Sequence, residues 1–576
     1  MTPALLEHLT ALYGETATRS ILPEIEKLVE KYRRNSRPVP LPDESTVALI
    51  CYGDSFQAPG EPPLKTLNIF LSNYLKDFIS NVHLLPFFPY SSDDGFSVID
   101  YKFVNPAFGD WPEIETLGAS FDLIFDAVVN HISAQSDWFR EYLAGNPAFD
   151  NFFIETDPDA DLSAVTRARS HPLLTNFLRN GKSVNLWTTF SADQIDLNFH
   201  NPAVLLRLLD VLLFYARQSA RIIRLDAIGH AWKSLGTTCL NLPEAHLLVQ
   251  VFRAALDMVF PDVLLLTETN VPHAENIQYF GDGRNEAQLV YQFPLAGLVI
   301  HSFQSGNAVK LTRWAQTLAL NSNSCTYFNL LASHDGIGVR PLIGILTDAE
   351  IDALVRRTFA RGGYVSYKTA DDGTSDPYEM NITLFDMLAD PELDEPTNIR
   401  KFITAHAILL AMPGIPALYY HSLFGSSGDR SAVETTGQKR AVNRKKFDLP
   451  DLENELNNST SRTCRIFTEL KRLIAIRKRQ PAFNPYGRAN VISITDRLFA
   501  IQRISPDGRQ IVLAVHNLSE RPVQFRITDG IFPQSEEKIR NLLTNSNLNV
   551  GEEIVLEPFS YFWFGRQKAL QQAKTR

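Results

Sequence analysis

Short apolar, β-branched runs alternate with longer amphipathic stretches through most of the chain. The runs are TVALICY (46–52), NVHLLPF (81–87), DLIFDAVVNH (122–131), RIIRLDA (221–227), DVLLLTE (262–268), AQLVYQF (287–293), TYFNLLA (326–332) and GIPALYY (414–420). Between several of them lie stretches such as 204–218 and 244–260, whose apolar positions recur with helical spacing. Runs this uniformly apolar are strands buried on both faces, and eight of them alternating with helices predict a (β/α)₈ barrel. An open doubly wound sheet is the alternative. It gives no reason for polar residues to crowd the C-terminal ends of so many runs.

The flanks follow other rhythms. Residues 4 to about 35 read as an amphipathic helix ending in the Pro-rich RPVPLPDES, which makes 1–45 an N-terminal helical extension and 46–486 the barrel. Residues 132–200 are rich in Pro, Asp, Ser and Thr and read as a subdomain inserted after the third run. Residues 341–400, with Gly362, Gly363, Gly373 and Asp371–Asp372, read as a long loop after the seventh. Both insertions are expected over the barrel mouth, where loops set specificity. From 487 the pattern turns to strict alternation (RANVISI, RLFAIQRI, QIVLAVHNL, VQFRI, EIVLEPFSYFWFG), which predicts a small antiparallel β-domain over 487–566. The tail 567–576 is expected to fray or form a short helix.

Composition narrows the class without changing this picture. Hydrophobic residues make up 44% and charged residues 21%, an ordinary globular balance. A net charge of −10 argues against a nucleic-acid partner. Cys51, Cys239, Cys325 and Cys464 are far apart and read as free thiols of a reducing compartment. The N-terminus has no signal-peptide core, and the apolar stretch 406–420 is cut by Pro413, Gly414 and Pro416. No membrane span is expected, and a cytoplasmic location is.

The chemistry sits at the strand ends. The third run offers Asp126, Asn130 and His131, the fourth Arg224 and Asp226, the fifth Glu268, the seventh His334 and Asp335, and SSDDGFS after the second offers Asp94. One strand-end Asp alone usually caps a helix. Three carboxylates ending three strands of one barrel converge on one point. Such a set suits acetal chemistry, in which one carboxylate stays ionised to attack the anomeric carbon and another stays protonated to release the leaving oxygen. Arg224, two residues before Asp226 on a strand, points to the same side and should keep Asp226 ionised. Burial should raise Glu268 into the range of a general acid.

The ordered set FDAVVNH, RLDAIGH, LTETN and ASHDG resembles the four conserved regions of the α-amylase family, glycoside hydrolase family 13, and QIDLNFHNP and PGIPALYY resemble its further landmarks. The resemblance implies Asp226 as nucleophile, Glu268 as acid/base and Asp335 as the carboxylate gripping the distorted sugar, with Arg224, His131 and His334 orienting them. HLLPFFPYSSDDGFSVIDY and SHDGIGV are similar to the sucrose-phosphorylase branch. That implies a closed glucosyl pocket locked by Asp94 and Arg444 with Phe96 as stacking platform, and phosphate attacking in place of water. The TRARSHPLL segment resembles the branch's phosphate-binding stretch, with Arg169 and Tyr378 as the implied contacts. The pattern departs from sucrose phosphorylases at Asn270, where they carry His, and at Glu379, where they carry Gln. The segments TETNVPHAENIQYFGDG, GTTCLNLPEAH and NRKK resemble the sister groups acting on glucosylglycerate, sucrose 6-phosphate or glucosylglycerol, and the N-terminal extension and the 366–383 segment are most similar to the group acting on glucosylglycerate. Sucrose 6-phosphate, sucrose and glucosylglycerol remain alternatives, as do an α-glucosidase and an inactive carbohydrate-binding protein.

Some residues carry two readings. Trp187 either lines the acceptor side or packs the subdomain core. His230, Lys233, Arg340 and Lys368 either meet an anionic acceptor or are solvated or paired. Asn130 stands where calcium-binding amylases place a ligand, but no acidic cluster surrounds it in sequence, and neither metal nor cofactor is expected. The expected partners are a small α-glucoside and inorganic phosphate.

Overall fold

All eight apolar runs become barrel strands: β1 (Ala48–Cys51), β2 (Asn81–Leu84), β3 (Asp122–Val128), β4 (Ala220–Asp226), β5 (Leu264–Thr267), β6 (Leu289–Tyr291), β7 (Thr326–Asn329) and β8 (Ile415–Tyr419). Each pairs in parallel with the next, and β8 pairs with β1 to close the barrel. In this computed structural model the described residues are 2–33, 39–318, 322–369, 375–527, 531–532 and 539–567. The strands are buried almost throughout, which is why they read as unbroken apolar runs. Helices cover the outside. Pro202–Arg217 starts with a proline at its first turn and an Asn201 side-chain cap, and Pro243–Val259 starts with a proline too.

The N-terminal helix α1 (Pro3–Tyr32) is capped by Thr2 and breaks at Gly14, whose φ of 76° no ordinary helical residue adopts. It buries Leu5, Leu9, Ile21, Ile25 and Val29 and packs on the two helices that flank β4. The Tyr32 hydroxyl donates to Asp210 at 2.8 Å. The extension therefore braces the outside of the strand that ends in Asp226.

The region 132–200 contains the helix Asp137–Leu143, the hairpin Leu174–Arg179/Lys182–Trp187, and the strand Gln194–Asp196 paired with His131–Ser133. The 341–400 region is more structured than a loop. It holds the helix Asp348–Ala360, the strands Tyr364–Thr369 and Ser375–Asn381 joined to Ile337–Gly338 in one sheet, and the start of the barrel helix Glu395–Ala411. Its Gly373 and Asp371–Asp372 lie outside the described residues.

After residue 487 the alternating runs form antiparallel strands in a six-stranded sheet, with Val523–Arg526 and Glu553–Leu556 paired apart from it among the described residues. The final run, EIVLEPFSYFWFG, holds two strands, Glu553–Leu556 and Tyr561–Gln567, separated by a turn at Phe559 with φ of 51°. Two short strands, Ile539–Asn541 and Asn547–Leu548, were too brief to show a period. Buried Arg503 ties this sheet to the barrel by donating to the carbonyls of Ala411 and Met412 just before β8. Of the expected tail, residues 568–576 lie outside the described residues.

Candidate active site

Strand register builds the centre of the site. Arg224 on β4 sits level with Asp126 on β3, and level residues on neighbouring parallel strands point the same way. Its guanidinium bonds Asp126, meets Asp226 at 2.8 Å and lies 3.8 Å from Glu268. Asp126 also bonds His83 of β2 at 2.9 Å. Glu268 is aimed by Ala227, which adopts the left-handed conformation and donates its backbone N–H to Glu268 Oε2 at 2.9 Å.

One guanidinium therefore faces three carboxylates. Arg224 was expected to keep Asp226 ionised by itself. Instead, burial pushes both Asp226 and Glu268 up against its pull, and Glu268 raises Asp226 further. The reason is division: Asp126, directly bonded, takes much of the positive charge and is held low by Arg224 and His83 against its burial. Of the three carboxylates, Glu268 lies farthest from the guanidinium.

Burial works to raise Asp335, but Arg440 at 2.6 Å, with His334 and Arg444 behind it, holds its carboxyl well below the usual carboxylate range. Burial pushes His334 down to about 3 and lowers His131 and His230 as well, so all three rings are neutral near pH 7.

The loop after β2 is strained and clamped. Asp93 and Asp94 both have positive φ, 53° and 48°, and Gly95 at 110° leaves no room for a Cβ, which would stand 2.4 Å from the Pro86 carbonyl. Arg444 grips both carboxylates, Asp93 at 3.1 Å and Asp94 at 3.0 Å. Asp193 accepts hydrogen bonds from the hydroxyls of Ser91, Ser92 and Ser97. Of these two aspartates Asp93 lines the cleft, and Asp94 and Arg444 do not. Phe96 lines the cleft, but one face is already stacked on His334 at 4.6 Å. Its carbonyl receives His131 Nε2 at 2.8 Å and Gln194 Nε2 at 3.2 Å.

The opposite wall comes from the inserted loops. Arg169 lies over the Tyr378 ring at 4.9 Å and the Phe190 ring at 5.6 Å. Asn270 donates to the Tyr378 hydroxyl at 3.3 Å. Arg169, Tyr378, Glu379, His230 and Asn270 all line the cleft. The Glu379 carboxylate is not free for a ligand: Arg440 holds it through two hydrogen bonds, 3.0 and 2.6 Å.

Three residues with open readings resolve. Trp187 is 1% exposed and packs with Val165, Leu173 and Cys239 in a small core under the 166–174 loop. Lys233, read as solvated or acceptor-facing, is buried instead. Its ammonium meets Asp196 at 2.5 Å, Asn130 Oδ1 at 2.6 Å and the His230 carbonyl. The Asn130 oxygen that resemblance linked to calcium thus serves a lysine. Lys368 leans toward Asp376 at 3.9 Å and does not line the cleft.

The reading of the residues missed His83, Asp93, Gln194 and Arg440. A histidine inside the apolar run NVHLLPF was a usable signal, since an inward polar residue on a barrel strand needs a partner. Arg440 lies in the same KRAVNRKK string as the Arg444 that resemblance picked out, and nothing local marks it as a partner of Glu379 and Asp335.

An α-amylase catalytic-domain model matches residues 71–348. The glucosylglycerate phosphorylase of Escherichia coli K12 is 43% identical over 568 residues, 98% of this chain and 100% of that protein. The glucosylglycerate phosphorylase of Allomeiothermus silvanus is 46% identical over 521 residues, 90% and 93% of the two chains. Among solved structures, sucrose 6F-phosphate phosphorylase from Thermoanaerobacter thermosaccharolyticum superposes with a TM-score of 0.73 at 25% identity, covering 90% of this chain and 99% of that one. With its strand-end motifs gathered around one cleft and these relatives matched along nearly its whole length, the chain belongs to the α-amylase family, in the sucrose-phosphorylase branch.

Proposed function

We propose that the protein is a retaining glycoside phosphorylase that transfers the glucosyl group of 2-O-α-glucosylglycerate to inorganic phosphate. Asp226 attacks the anomeric carbon as the glycosidic bond breaks, and Glu268 gives its proton to the departing glycerate oxygen. A phosphate oxygen then attacks the glucosyl-enzyme, yields its proton to Glu268, and displaces Asp226. Two inversions give α-D-glucose 1-phosphate. Asp335 grips the sugar hydroxyls once Arg440 shares it with the substrate. Asp94, Asp93 and Arg444 close the far end of the glucosyl pocket with Phe96, His131 and His334 around the ring, and Arg169 and Tyr378 receive phosphate.

The observation that carries this reading is the likeness, at 43–46% identity over at least nine-tenths of the chain, to proteins named for this reaction. The Asp226–Glu268 pair supports it: burial pushes both carboxyls up, and a retaining pair needs one ionised and one protonated member. The four free cysteines support a cytoplasmic setting. The test is to incubate the enzyme with glucosylglycerate, with and without phosphate, and follow the anomeric signals by NMR. α-Glucose 1-phosphate appearing only with phosphate is the expected result. Free glucose at equal rates in both would make the protein a hydrolase, and a β-phosphate would overturn the mechanism.

A further inference from the structure

Cations crowd the loop side of the cleft, and most already have anionic partners. Arg444 holds Asp93 and Asp94, Arg440 holds Glu379 and Asp335, and Lys233 is buried on Asp196. Arg169 and Arg340 differ. Among the described residues, neither has a carboxylate within ion-pair distance. Arg169 donates to the Ala168 carbonyl at 3.0 Å, and its guanidinium lies over the Tyr378 ring at 4.9 Å and the Phe190 ring at 5.6 Å. Arg340 opens the turn Arg340–Leu342 directly after the strand Ile337–Gly338, and its side chain lines the same cleft.

The two arginines come from different loops and line one cleft together with His230. Beside them, Asn270 Oδ1 is buried and accepts no hydrogen bond in the described structure. Two guanidinium groups without counter-charge repel each other, and a buried carbonyl oxygen without a donor is costly. Both costs vanish when one ligand brings an anionic group and a hydroxyl.

We propose that Arg340 and Arg169 form a two-guanidinium clamp for a single anionic group, with Asn270 Oδ1 accepting a hydroxyl proton of the same ligand. The acceptor side is thereby shaped for a small hydroxy acid and, in its turn, for a protonated oxygen of phosphate. Arg340 is a specificity residue, separate from the bond-making groups. The inference rests on the phosphorylase reading for its second ligand but not for its first.

The test uses α-glucosyl fluoride as donor without phosphate, so that no donor group occupies the clamp, and compares D-glycerate with glycerol as acceptors. Arg340→Met should lower the glycerate-to-glycerol ratio of kcat/KM about ten- to a hundredfold, the worth of one charged hydrogen bond. Arg340→Lys should recover part of it, and Asn270→Asp should depress it by repelling the carboxylate. Because both acceptors are measured on one preparation, a misfolded fraction cancels in the ratio. An unchanged ratio in Arg340→Met, or a ratio near one in the wild type, overturns the clamp. Failure of the wild type to use phosphate, with the acceptor ratio behaving as stated, would instead sink the phosphorylase reading and leave the clamp standing.

Discussion

The two walls of the cleft satisfy their charges in opposite ways. On the barrel wall, His83, Asp126, Arg224, Asp226 and Glu268 are linked to one another across strands in fixed register. On the loop wall, Arg169 and Arg340 face the opening without carboxylate partners among the described residues. The first wall is finished before substrate arrives, which is what a charge-developing reaction needs. The second is finished by the ligand. Rate should therefore depend on the barrel wall and acceptor choice on the loop wall, and that division can be broken experimentally.

The largest expected effect is at Asp226. Asp226→Asn should lose at least about a thousandfold in rate with every acceptor alike, since an amide is no nucleophile at carbon. Steady-state rates with phosphate and with glycerate check it, and unequal losses would blur the division of labour. Glu268→Gln should be nearly as poor on glucosylglycerate but recover its first half-reaction with α-glucosyl fluoride, whose leaving group needs no proton.

Next comes Lys233, which belongs to neither wall's chemistry but underlies both. Its removal as Lys233→Met leaves Asp196 buried without a cation, a loss of about 3–5 kcal/mol in stability. Among the described residues the Asp196 carboxylate would keep the Thr189 backbone N–H at 2.9 Å and the Thr189 hydroxyl. Chemical unfolding should show the drop, and adding Asp196→Asn should restore part of it. A Lys233→Met protein as stable as the parent would mean the ammonium is not the counter-charge it is taken to be here.

Lys233 also shows where the sequence stops being readable. The eight strands were legible because a barrel strand is buried on both faces and its sequence says so within seven residues. The strand-end carboxylates were legible because the barrel fixes where strand ends point. Lys233 looked solvated because its partners, Asp196 and Asn130, lie 37 and 103 positions away, and only the fold closes those distances. Arg444 was picked out by resemblance and does reach Asp93 and Asp94, whereas Arg440, four residues earlier, was passed over because its partners Glu379 and Asp335 lie far away in the chain. Trp187 had two readings until the 166–174 loop folded over it.

A smaller effect is expected on the loop wall itself. Arg169→Ala should raise the phosphate KM about ten- to a hundredfold and lower the ratio of phosphorolysis to hydrolysis, because phosphate enters only after the glucosyl-enzyme has formed. Parallel losses of both reactions would make Arg169 a part of the scaffold instead.

The smallest effects separate the walls by solution conditions alone. Glu268 is raised by burial, and its proton is needed to release glycerate. Activity on glucosylglycerate should therefore be full below the upper apparent pKa of the Asp226–Glu268 pair and fall as pH rises through it. The fall should vanish in Glu268→Gln with the fluoride donor. Glycerate, with a carboxyl pKa of roughly 3.5, stays ionised throughout. The glycerate KM should thus be flat across the pH interval that moves the rate. Salt should do the reverse. The loop wall opens to solvent, so raising ionic strength from about 0.01 to 1 M shortens the screening length from about 30 to 3 Å and should raise the glycerate KM several-fold. The Arg224 cluster is buried, and the rate at saturating glycerate should stay level. A rate that followed salt as steeply as KM does would place solvent at the barrel wall, and the contrast between the two sides would fail.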